Sequence, residues 1–123
     1  MAIHYEFEQH EPDLTVATLT GQLNLGNRVA EFEHTVKQRI ADGSRKMVLD
    51  LTGLTYIDSA GLGMVAACAG IIFKAGGKLV VVAPAGRIMQ MFEITRLNKV
   101  IDLYPDFDAA VASFSQVPKT GTE

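Results

Sequence analysis

The segment Thr55-Tyr56-Ile57-Asp58-Ser59-Ala60-Gly61-Leu62-Gly63 holds the residue types best suited to chemistry in this chain. An Asp and a Ser stand where a helix N-cap belongs, just before the apolar series Leu62, Val65, Ala66, Ala69, Ile72 and Phe73. Ser59 is therefore predicted at a helix N-terminus. On a structural reading it is only a cap, worth about 1 kcal/mol. On a functional reading its hydroxyl is a modification site. A phosphate there would add about -1.5 to -2 charges beside Asp58 but at the positive end of a helix dipole, so the fold tolerates it while a docked acidic partner does not. Gly61 leaves room for close backbone approach.

Other chemistries fail on spacing. Gly61-x-Gly63-x-x-Ala66 matches a dinucleotide-binding pattern, but the glycines do not directly follow a strand, and no Asp or Glu lies between Ser59 and Phe92 to hold a ribose. Gly77-Lys78 lacks the rest of a phosphate-cradling loop. A serine hydrolase of the elbow type needs Gly at the position of Ile57 and a His after the Ser, whereas His4, His10 and His34 all precede Ser59. The histidines show no metal-ligand spacing, and Asp50, within a strand, reads as a structural acceptor instead of half of a carboxylate pair. The single cysteine, Cys68, sits in an apolar run and reads as core; it leaves neither an intrachain disulfide nor a thiolate metal site. No catalytic constellation remains, and no cofactor is expected.

The elements that position Ser59 follow from periodicity. Ile3, Tyr5 and Phe7 alternate with polar residues, Leu14 to Thr20 is rich in β-branched residues, and Glu11-Pro12-Asp13 lies between them, which predicts an opening hairpin. Val29, Phe32, Val36 and Ile40 mark an amphipathic helix that stops near Gly43. Met47 to Leu51 reads as a buried strand, Thr52 to Ile57 as a loop, and the Ser59 helix runs to Gly76-Gly77. Leu79 to Ala83 is a central strand broken by Pro84, with a short helix to about Glu93, a last strand over Val100 to Leu103 and a final helix over Phe107 to Phe114. The fold class is α/β, a mixed sheet of four to five strands packed against about four helices. One domain over residues 1–114 is expected, with 115–123 as a flexible tail.

From Ser59 to Phe73 the second helix carries no charge, and its side away from the core series holds Ala60, Met64, Ala67, Cys68 and Ile71. An exposed stripe of that kind marks a protein contact or self-association, a homodimer included, unless another element covers it. Of the chain's 123 residues, 48% are hydrophobic and 20% charged, the balance of a globular domain. The net charge of -3 and the lack of a basic stripe exclude a nucleic-acid footprint or an anionic-membrane anchor. No stretch reaches the ~20 apolar residues of a membrane span, so the expected location is cytoplasmic.

Val48-Leu49-Asp50-Leu51, Ile57-Asp58-Ser59-Ala60-Gly61-Leu62-Gly63, Gly76-Gly77-Lys78-Leu79 and Phe92-Glu93-Ile94-Thr95-Arg96-Leu97 together resemble the STAS domain of bacterial anti-sigma-factor antagonists, over roughly Ile3 to Phe114. The resemblance implies that Ser59 is phosphorylated by an anti-sigma factor that is a serine protein kinase, and that a metal-dependent phosphatase reverses it. ATP and metal then belong to those partners. The unmodified chain would capture the anti-sigma factor and release a sigma factor. Many members carry Asp after Gly21-x-Leu23, near the serine; this chain has Asn24, which removes a local charge, keeps hydrogen bonding and is expected to alter partner choice or phosphorylation rate. The binding set is Asn24, Asp58, Ser59, Ala60, Gly61, Leu62 and Met64. The alternative is an assembly module of the same family in which Ser59 only caps its helix.

Overall fold

A computed structural model describes residues 3–11, 13–24 and 27–114; the expected tail over 115–123 lies outside the described residues. Strand β1 (His4–Glu11) pairs antiparallel with β2 (Leu14–Leu23), as the alternation on either side of the turn predicts. Each following strand adds parallel to the one before it: β3 (Lys46–Ile57), β4 (Lys78–Val82) and β5 (Asp102–Tyr104). The sheet order is therefore β1-β2-β3-β4-β5. Parallel neighbours need crossovers, and α1 (Asn27–Ala41), α2 (Ser59–Lys74) and α3 (Arg87–Ile94) supply them, α3 with the one-turn 3-10 helix Leu97–Lys99 behind it. This is the expected α/β class, with a five-stranded mixed sheet and four α-helices among the described residues.

Period-two alternation sorts the strand side chains into two layers. Ala17, Leu19, Met47, Leu49, Leu51, Leu79 and Val81 point to the side covered by the crossover helices and form the main core with Phe32, Val36, Leu62, Val65, Ile72 and Phe92. Leu14, Val16, Val48, Val80 and Val82 point to the other side, where α4 (Phe107–Ser113) covers them through Ala110, Phe107 and Val111. Burial on both faces explains why β4 reads as an unbroken apolar run. Asp106 caps α4 by accepting the Ala109 N–H at 2.8 Å.

Three expectations are corrected. The stretch Thr52 to Ile57 is not a loop: β3 runs on to Ile57, pairing Thr20 with Gly53, Gly21 with Leu54, Gln22 with Tyr56 and Leu23 with Ile57. Register shifts at Thr18/Thr20 and Gly21/Gln22 break the alternation there and hide the strand from a period-two reading. The last strand begins at Asp102, not Val100, because the 3-10 turn occupies Leu97–Lys99. The last helix closes at Ser113, with Phe114 as its C-cap.

Candidate functional site

The extension of β3 changes how Ser59 is held. No loop precedes it, since Ile57 is still in the sheet and Asp58 alone joins strand to helix. Three hydrogen bonds fix Asp58. Its N–H donates to the Leu23 carbonyl at 3.2 Å, its carbonyl accepts from the Leu62 N–H at 2.9 Å, and its Oδ1 accepts from the Gly61 N–H at 2.9 Å. With extended backbone, φ -114° and ψ -173°, Asp58 is the N-cap of α2. Ser59 is the first helical residue and is not the cap.

The division of labour leaves the Ser59 hydroxyl free. Ser59 is exposed, and among the described residues its Oγ has no hydrogen-bond partner. The first-turn N–H groups of a helix lack carbonyl acceptors within the helix, and Asp58 takes only that of Gly61, so an anion on Ser59 meets positive backbone dipole on one side and the Asp58 carboxylate on the other. Among the described residues no side chain is hydrogen-bonded to the Ser59 hydroxyl as a base would be. Asp50 faces the α4 side of the sheet and spends one carboxylate oxygen on the Thr52 N–H at 3.0 Å and the Thr52 hydroxyl at 2.6 Å. His4 and His10 lie beside Glu6 and Glu8 on β1, His34 is exposed on α1, and among the described residues no three metal-ligating side chains converge.

The other members of the expected binding set divide by burial. Asn24 is half-buried at the end of β2, one residue beyond the Leu23 carbonyl that anchors Asp58, and Ala60 is half-buried. Leu62 and Met64 are inside, 3% and 2% exposed, so their side chains pack and do not face a partner. Gly61 is buried as well. A methyl group added to it would fall 2.5 Å from the Leu23 carbonyl oxygen, so this glycine admits the chain's own backbone and not that of another molecule. Tyr56, 43% exposed, and Gly63, exposed with open space above it, are surface neighbours that sequence reasoning missed.

The expected outward stripe of α2 is also corrected. Met64 and Cys68 are buried, because α1 covers a second side of the helix, and Cys68 Sγ lies 3.7 Å from Met64 Sδ. Phe73, expected in the core, is 76% exposed. The true outward face holds Ser59, Gly63, Ala67, Gly70, Phe73 and Lys74.

The model of the STAS domain matches residues 5–110. BtrV of Bordetella bronchiseptica, which carries the name of an anti-sigma factor antagonist, is 31% identical over 101 residues, 82% of this chain and 86% of that protein. The anti-sigma-B factor antagonist of Bacillus subtilis is 27% identical over 84% of this chain and 92% of its own length. The crystal structure of an anti-sigma factor antagonist from Mycobacterium paratuberculosis superposes with a TM-score of 0.82 at 25% identity, covering 94% of this chain and 96% of that one.

Proposed function

This chain belongs to the STAS domain family, among the anti-sigma factor antagonists, and from that premise we propose that it captures an anti-sigma factor while Ser59 is unmodified and releases it once Ser59 is phosphorylated. Proteins of this family are regulators that act by binding and not by catalysis. The kinase is the anti-sigma factor itself, a phosphatase resets the switch, and ATP and metal belong to those two enzymes. The working place is the cytoplasm, where a sigma factor acts. Among the described residues no helix is long and apolar enough to cross a membrane.

The observation that carries this reading is that Asp58 caps α2 and leaves the exposed Ser59 hydroxyl without a hydrogen-bond partner among the described residues. Magnitudes decide how a phosphate acts. In the free protein the helix N-terminus contributes about 0.3–1 kcal/mol in favour of an exposed anion, which offsets repulsion from Asp58, so the fold is spared. Under a docked partner the same dianion loses its water, and an unpaired buried charge costs several kcal/mol. Docking is lost and folding is not.

The test incubates the chain with its cognate anti-sigma factor kinase and ATP, maps the phosphate by mass spectrometry and compares binding of wild type, Ser59→Ala and Ser59→Asp. Label at Ser59 with binding kept by Ser59→Ala and weakened in Ser59→Asp is the expected result. An unlabelled chain whose three forms bind equally would favour the assembly-module alternative.

A further inference from the structure

The outward face of α2 is arranged about its own midpoint. Ser59 and Lys74 end the helix, Gly63 and Gly70 stand equally far from its centre, and the exposed Ala67 lies beside that centre, while half-buried Ala66 turns toward a neighbouring groove. Neither glycine answers an internal need. A methyl group at Gly63 or Gly70 would meet no atom within 4 Å, and neither residue has positive φ, yet each weakens the helix relative to alanine. Beside the C-terminal half, Phe73 is 76% and Val100 77% exposed at the mouth of an apolar groove of about 630 Å³, lined also by Ala66, Ala69, Gly70 and Leu79.

We propose that this face is the interface of a two-fold symmetric homodimer in which α2 packs antiparallel against α2 of a second copy. Symmetry about the helix midpoint sets Gly63 against Gly70 of the second copy and brings Ala67 beside its own counterpart, so two helix backbones approach closely with only small side chains between them. The ends match in charge. Lys74 has no ion-pair partner among the described residues, and the antiparallel arrangement brings it to the Asp58 carboxylate at the start of the opposite helix. The two helix dipoles also run in opposite senses. This self-complementarity in size and charge selects a second copy as the occupant, because an isologous interface requires that a patch fit itself.

The dimer covers Ser59, so self-association and capture of the anti-sigma factor compete for one face. The two readings are separable by sign. Ser59→Asp, which weakens anti-sigma binding under the proposed function, places a carboxylate opposite Lys74 of the second copy and tightens the dimer several-fold.

Sedimentation equilibrium of the full chain, with no kinase present, is the test. Wild type is expected to show a concentration-dependent dimer, and Ala67→Glu, which sets two buried carboxylates at the symmetry axis, to raise its dissociation constant about a hundredfold. Ser59→Lys and Lys74→Glu should each weaken it, and the double variant should restore it, a pattern that only the antiparallel register produces. These positions are at the surface, and an unchanged unfolding transition in each variant separates lost association from lost fold. A chain that stays monomeric at its highest soluble concentration, or a dimer indifferent to Ala67→Glu and to the charge swap, overturns the proposal.

Discussion

The carbonyl oxygen of Leu23 occupies the space that a side chain at Gly61 would need: it lies 2.5 Å from where a Cβ on Gly61 would sit, and it also accepts the Asp58 N–H at 3.2 Å. The first turn of α2 is thereby pressed onto the end of β2. Gly61→Ala is predicted to force these backbones apart at a cost of about 1–3 kcal/mol. Gly63→Ala and Gly70→Ala, with open space around them in the single chain, should instead stabilise the monomer by about 0.5–1 kcal/mol each. Urea denaturation of the three variants reads the sign directly, and a neutral Gly61→Ala would mean the junction is looser than its geometry indicates.

Capping and switching belong to different residues, which makes them separable. Asp58→Ala removes the acceptor of the Gly61 N–H and is predicted to cost about 1 kcal/mol of folding stability. Ser59→Ala removes an exposed hydroxyl that has no partner among the described residues, so it should change stability by less than about 0.5 kcal/mol. Thermal unfolding of both variants checks this; equal losses would return the cap to Ser59.

Local patterns carried most of this fold. Val29, Phe32, Val36 and Ile40 marked α1, and the run Leu79 to Ala83 closed by Pro84 marked β4, because each signal depends on one element alone. The second half of β3 was illegible since its buried residues, Leu51, Leu54 and Ile57, fall three apart where bulges break the pleat. The outward face of α2 is set by long-range packing that its own sequence does not carry. Packing on the sheet and on α1 covers two sides of the helix, which buries Met64 and Cys68 and leaves Phe73 in the open. At the site itself, the Asp-Ser pair located the helix start, but assigning the cap to Asp58 required seeing its carboxylate on the Gly61 N–H.

Burial pushes the Cys68 thiol up from 9.0 to about 12, with the Glu33 carboxylate adding to the shift and Lys37 opposing it. Below pH ~9 the folded and unfolded chains both hold the proton, and the group does not affect stability. Between about 9 and 12 the unfolded chain releases the proton and the folded chain keeps it, so stability falls by ~1.4 kcal/mol per pH unit from this group. Cys68→Ala should therefore show a flatter decline than wild type across that window, measured by denaturation at each pH. Parallel curves would contradict the shift. Up to pH 9 the buried thiol should also resist alkylation until the chain unfolds.

Asn24 follows the residue whose carbonyl anchors Asp58, so a carboxylate at position 24 adds a second negative charge to the surroundings of Ser59. The unmodified chain has no charge on Ser59 to oppose, and Asn24→Asp should leave its stability within about 0.5 kcal/mol. In the chain phosphorylated at Ser59 the like charge disfavours the phosphate dianion, which raises the second ionisation of the phosphate above its wild-type value. A phosphorus NMR titration of the two phosphorylated proteins reads that displacement. Superimposable titrations would mean that the position 24 side chain does not sense the phosphate, and Asn24 would then leave the set of residues that tune the switch.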